Sequence, residues 1–244
     1  MKQKINWQVG CAGFHYKEWK GIFYPEKMPQ RLWFEYYCKH FSTLEVNNSF
    51  YQFPRLNTLQ SWYSQSPDQF SFSFKVPRII THYKKFIDTE RLLEDFYSLL
   101  QAGLHNKLGA VLFQLPPQLR YSDELLQRII SSVHAGYQNV IEFRHPSWWT
   151  KEVYHELAAH QICFCGVSYP GGKIPDTVIA NIDTVYYRFH GVPVLYKSQY
   201  ENEILQHLVE DISNNKHVKK AFIYFNNTWG TAALNNSSWL KQYT

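Results

Sequence analysis

The chain has no run of eighteen apolar residues, so no segment of it reads as a membrane-spanning helix. Its opening, MKQKINWQVG, lacks the apolar centre of a secretory leader. These two absences set the expectation of a soluble, cytoplasmic protein with no membrane partner. Cysteine is scarce: Cys11, Cys38, Cys163 and Cys165 are the four present, and no pair has the CxxC spacing. That sets aside a zinc site and a disulfide framework, and reduced, mostly buried thiols are expected. Glycine-rich phosphate loops, a GxSxG elbow and the HxH or HExxH spacing of metal ligands are missing too. No metal and no cofactor is therefore expected. Charge is sparse, at 18% of residues, and the formal net charge of +5 comes from scattered lysines and arginines rather than a dense basic stripe. This balance is compatible with an anionic partner without requiring one.

Aromatic residues are what the chain has in abundance. At 18% of the sequence they are too many for a disordered segment and need a core or a stacking partner. No internal repeat and no linker-like stretch interrupts the 244 residues, so a single domain spanning 1–244 is expected. Eight β-type runs lie at 6–12, 43–50, 70–77, 108–116, 139–144, 162–169, 183–191 and 219–227. Helical patterns separate most of them, clearest at 30–41, 89–104, 123–134, 151–160 and 202–215. Ser122 and Thr150 stand where helix N-caps belong. Alternation of this kind predicts an α/β fold, a (β/α)8 barrel of the TIM type. Between the sixth and seventh runs PGGKIPDTVIANI has no helical period, so a distorted barrel with a weak or missing helix there is expected.

Barrel enzymes build their sites at the carboxyl ends of the strands. The seventh run, TVYYRFHG, puts Tyr186, Arg188 and His190 on one face at the strand period of two. Other runs end likewise in polar residues: Glu45 and Asn47, Ser73 and Lys75, Gln114, Glu142 and Arg144, Tyr224 and Asn226. Converging at one end of a sheet, they would form a charged mouth. A buried ion-pair network that serves the barrel alone is the competing structural reading, because buried charges must be paired wherever they occur.

The order of the segments GCAGFHYKEWKGIFYP, FSTLEVNNSFY, FKVPRIITH, LGAVLFQLPPQ, EFRHPSWW, YYRFHG and YFNNTWGTAALNN resembles the YecE-like family, a group without an established activity. The resemblance runs from about residue 9 to 240 and implies a TIM-type fold. Two positions depart from the family pattern. Cys11 and Ala12 stand where relatives tend to carry small hydroxyl residues, and Ser168 stands where an aspartate is often found. Chemistry that relied on those groups is not expected of this chain.

From the residues themselves, Lys75, Arg144 and Arg188 are candidate anion binders, and Glu45, Glu142 and His190 are candidate acids and bases. Asn47, Gln114, Asn226, Asn227, Tyr16 and Trp19 are candidates to orient or line a ligand. The leading expectation is a hydrolase or isomerase acting on a small phosphorylated or otherwise anionic substrate. Two alternatives stay open. Glu45 and Glu142 could serve a glycoside hydrolase, with Trp19, Trp148 and Trp149 as sugar platforms. Alternatively, the aromatic and basic loop GFHYKEWKGIFYP could bind nucleic acid without catalysis, or simply pack as a cap. The turn GTAALNN, entering a helix, is a further candidate to meet an anion. The sequence sets no oligomeric state.

Overall fold

A computed structural model of the chain describes residues 4–244. Eight strands form where the runs predict them: β1 (Asn6–Cys11), β2 (Thr43–Val46), β3 (Ser71–Lys75), β4 (Leu108–Gln114), β5 (Asn139–Glu142), β6 (Cys163–Ser168), β7 (Thr184–Phe189) and β8 (Lys220–Phe225). All are parallel, in the sheet order β1-β8-β7-β6-β5-β4-β3-β2. Around them run α1 (Trp33–His40), α2 (Leu56–Gln65), α3 (Glu90–Leu104), α4 (Asp123–Ser132), α5 (Lys151–Ala159), α6 (Asn202–Asn214) and α7 (Ala232–Tyr243). The architecture is a TIM-type barrel, nearly closed.

The seam of that barrel lies between β1 and β2, which share no ladder. Gly10 makes the approach there, since a Cβ at this position would stand 2.4 Å from the Thr43 carbonyl oxygen. Tyr37 of α1 fastens the gap: its hydroxyl accepts from the Cys11 amide at 2.9 Å and donates to the Thr43 carbonyl at 3.0 Å. Ladder partners that two neighbouring strands would normally give each other are thus supplied by one phenol.

The expected gap in the helix ring is real, because residues 169–183 contain no helix. Asn181 in this segment ties itself to β6. Its Oδ1 accepts from the Phe164 amide at 2.9 Å and its Nδ2 donates to the Ile162 carbonyl at 2.9 Å. The helices that do form follow their apolar period. Leu93, Phe96, Tyr97, Leu100 and Leu104 of α3 are all buried, each worth about 1.5–3 kcal/mol of transfer free energy. Ser122 caps α4 by accepting from the Leu125 amide, and Thr150 caps α5 by accepting from the Val153 amide.

Two cores result from the strand pleat. Val185, Tyr187 and Phe189 face outward into the layer between sheet and helices. Ala110, Leu112, Val140, Cys163, Cys165, Tyr186 and Phe222 fill the lumen. All four cysteines are buried free thiols, as expected. No helix among the described residues is long and apolar enough to cross a membrane.

Candidate functional site

Polarity rises in layers toward the carboxyl end of the lumen. In the first layer, Tyr224 of β8 brings its hydroxyl to 2.5 Å from Thr43 Oγ1 and 2.9 Å from Ser73 Oγ. Three inward residues from three strands thereby satisfy one another, as buried hydroxyls must.

The next layer is built on Arg188. Its Nε donates to Glu45 Oε2 at 2.9 Å, its Nη2 to Glu45 Oε1 at 2.6 Å, and its Nη1 to Glu142 Oε2 at 2.6 Å. All three side chains are essentially unexposed. Tyr186, two residues before Arg188 on the same face, donates to Glu45 Oε2 at 2.6 Å, and Asn47 Nδ2 donates to Glu45 Oε1 at 3.1 Å. A planar guanidinium thus stands between two carboxylates, where a metal ion between those carboxylates would otherwise have to stand.

Arg144 and His190 form the third layer. Arg144 Nε donates to Glu142 Oε1, and its Nη2 lies 3.0 Å from His190 Nε2. Asn226 meets the other side of the ring, 3.0 Å from Nδ1. Burial first, and then the nearby Arg144 and Arg188, push the His190 imidazole well below its ordinary range, so it is neutral at pH 7. A neutral imidazole has one N–H. Arg144 can only donate, so Nε2 accepts and the proton is assigned to Nδ1; the Asn226 amide, placed with Nδ2 toward the ring, pairs with that N–H in its flipped orientation. Burial alone would raise the Glu142 carboxyl, yet Arg144 and Arg188 override that and hold it well below the usual carboxylate range.

Lys75 stands apart from this pairing. Its ammonium donates to Gln114 Oε1 at 2.8 Å and lies 3.9 Å over the Phe50 ring, with no carboxylate in salt-bridge reach among the described residues. Burial, reinforced by the Arg188 charge, lowers its pKa from 10.5 to about 7. The inner charges balance: Glu45 and Glu142 against Arg144 and Arg188, with His190 neutral. Protonated Lys75 is the unmatched cation.

The structure therefore brings together Glu45, Glu142, Arg144, Arg188, His190, Asn47 and Asn226, with Lys75 and Gln114 as a second pair at the same end of the sheet. Tyr16 lines a cavity of about 250 Å³ beside Glu45, bounded by the loops after β1 and β2. Its hydroxyl donates to the Ala12 carbonyl at 2.6 Å. Trp19 and Asn227 stand apart. Trp19 is wholly buried with its N–H bonded to the Gly230 carbonyl, so it offers no face to a ligand. Asn227 is likewise buried and tethers Ser198 and Asn236. Trp148 stacks on Phe143 at 4.2 Å and is equally enclosed. The aromatic loop after β1 packs largely inward, with Tyr24 stacked on Trp33 at 4.5 Å.

Sequence reasoning placed Tyr186 on the Arg188 face but assigned it no role, which the structure supplies as a donor to Glu45. It also passed over Phe50 and Tyr169, whose ring lies 4.2 Å from the Arg144 guanidinium carbon. Of the two departures from the family pattern, Cys11 is buried with its Sγ 3.4 Å from Ser237 Oγ. Ser168 faces outward and donates to Asp176 at 2.7 Å, so that carboxylate lies outside the lumen.

Fold and site together define a TIM-type α/β barrel whose carboxyl end holds a buried, largely self-paired charge network. Residues 8–244 match the family described as "Protein of unknown function DUF72", and the chain belongs to that family. It is 24% identical over 245 residues to the UPF0759 protein YunF of Bacillus subtilis, covering 87% of this chain and 86% of the relative. It is 27% identical over 118 residues to the UPF0759 protein YecE of Escherichia coli, covering 48% of this chain and 43% of that one. A DUF72 family protein from Thermotoga maritima, solved by crystallography, superposes with a TM-score of 0.87 at 28% identity, covering 98% of both chains.

Proposed function

We propose that the chain is an enzyme of hydrolase or isomerase type whose mouth receives a small phosphorylated or otherwise anionic substrate. The observation that carries this reading is the unmatched Lys75 ammonium. An oxyanion placed against it would complete the charge balance. Arg144, whose Nη1 makes no hydrogen bond to a described residue, is the second donor within reach of the same ligand. Arg188 supports the reading indirectly. Its nitrogens are committed to Glu45 and Glu142, so it keeps those carboxylates in place rather than meeting the ligand. With Glu142 held ionised and His190 neutral, this carboxylate and imidazole are suited to accepting protons, not to donating them.

The same geometry weighs against the glycosidase alternative. A retaining or inverting pair needs one protonated carboxyl. Glu142 is held ionised, and Glu45 accepts from three residues at once.

Calorimetry with inorganic phosphate tests the proposal. A bound anion should return the Lys75 pKa toward its ordinary value, so binding near pH 8 should take up close to one proton, seen as a dependence on buffer ionisation enthalpy. Lys75→Met should weaken binding about tenfold or more and abolish the uptake. Phosphate binding that is unchanged in Lys75→Met would refute the assignment.

A further inference from the structure

Beyond the charged mouth, its rim carries exposed aromatic rings that neither the core nor the ion pairs use. Tyr51 is 70% exposed, Tyr83 61%, Tyr196 45% and Trp229 70%. They fall into two groups. On the β2 and β3 side, the Arg78 guanidinium lies over both Tyr51 and Tyr83, 5.3 and 5.4 Å from their centroids. On the β7 and β8 side, the Lys197 ammonium lies 4.6 Å over Trp229, whose amide donates to the Tyr196 carbonyl at 3.0 Å. In the sheet these two strand pairs flank β1, so the groups stand on either side of the mouth. Tyr196 also reaches inward, its ring 6.4 Å from that of His190.

Charge agrees with the rings. The four loops involved, 47–55, 76–89, 190–200 and 226–231, contain Arg55, Arg78, Lys84, Lys85 and Lys197 against a single carboxylate, Asp88. A cation held against one side of a ring leaves the other side for a flat group, and an excess of cations alongside suits a chain of anions. Bases stack on exposed aromatics with little regard to sequence, while lysines and arginines meet the phosphates between them.

We propose that the rim binds single-stranded nucleic acid, with bases stacked on the two ring groups and one backbone phosphate set over Lys75 and Arg144. This rests on the anionic-substrate reading of the mouth and names the substrate class. An acidic polysaccharide would meet the same cations and can lay sugar faces on rings, so heparin is the competing ligand in the test. A lipid surface would not need a cation over each ring group.

The test is an anisotropy titration of the full chain with a labelled oligothymidylate of about twelve residues, at about 50 and about 200 mM salt. Binding should saturate and weaken at least tenfold at the higher salt. Trp229→Ala and Tyr51→Ala should each weaken it about tenfold with the melting temperature unmoved, since both side chains are exposed. An abasic oligomer of equal length should bind correspondingly more weakly. Equal affinity for the abasic oligomer or for heparin would overturn the inference, as would preference for anionic phospholipid vesicles. Self-association lost in Trp229→Ala, without oligonucleotide binding, would assign the rim to a second copy and overturn it too. Phosphate binding that needs Lys75, with no oligonucleotide binding, sinks this inference and leaves the small-anion reading standing. Oligonucleotide binding indifferent to Lys75→Met, with no phosphate binding, sinks the placement of a phosphate at the mouth.

Discussion

Arg188 and Lys75 are two cations in one lumen with opposite consequences for stability. Arg188 is enclosed by Glu45 and Glu142, so Arg188→Met leaves two buried carboxylates facing each other and should cost about 3–5 kcal/mol. Arg188→Lys should rescue little, because an ammonium cannot reproduce three donations from one plane. Urea denaturation of the three proteins measures both. Lys75 works the other way. Its folded pKa of about 7 lies below the ordinary 10.5, so between these values the unfolded chain holds the extra proton and the folded state gains stability as pH rises. Below about pH 7 the full cost of a half-buried, unmatched ammonium is present. Lys75→Met should therefore stabilise the protein at pH 7 by about 1–3 kcal/mol, with the gain fading toward pH 10.5. A variant less stable than the parent at pH 7 would contradict the unmatched charge.

At the scale of elements, the seam gives the sharpest expectation. Gly10→Ala would drive a methyl group against the Thr43 carbonyl, a backbone atom that cannot swing aside, and should cost more than about 2 kcal/mol. Tyr37→Phe keeps the ring and removes the hydroxyl, leaving the Cys11 amide without its acceptor, for about 1–3 kcal/mol. Thermal unfolding of both variants checks the ranking. Legibility in the sequence divided along similar lines. All eight strands could be read, and so could the helices with a broad apolar face and a capping hydroxyl, α4 and α5 among them. Helix α2 could not, because Leu59 is its one fully buried residue: Leu56 is exposed, and Trp62 and Tyr63 are only half-buried. Ser66 before Pro67 ends it, and Lys107, far along the chain, meets the freed end by donating to the Tyr63 and Ser66 carbonyls at 2.7 and 2.8 Å. The mouth residues could be read from the period of two. Their pairing could not, since Glu45 and Arg188 are 143 residues apart and meet only through the closure of the barrel. Trp19 and Trp229 show the same limit for aromatics: both are tryptophans in loops after strands, and only the packing separates the buried one from the exposed one.

For the whole molecule, the buried network sets the acid limit of stability. Glu142 and His190 both have lowered pKa values, so below about pH 6.5, and further below about 4.5, the unfolded chain binds protons that the folded one refuses. Stability should fall through that range in two stages, and His190→Gln should shrink the upper stage without abolishing it, because burial also lowers His82, to about 4, as read from urea midpoints at a series of pH values. The seam extends this argument to motion. Tyr37 holds β1 to β2 just below the cavity beside Glu45, whose walls are the loops leaving those two strands. Everywhere else, neighbouring strands are laced by rows of amide bonds that must break together, whereas here one hydroxyl sets the spacing. The barrel is mechanically a strip bent until its ends meet. Its two end strands are joined directly by one phenol, and β2 is otherwise tied to the far end through side chains that cross the lumen to β7 and β8, so the cheapest opening widens the cavity wall. Amide exchange at Cys11 should accordingly report that opening, and proceed by smaller excursions than exchange at the β7 and β8 ladder.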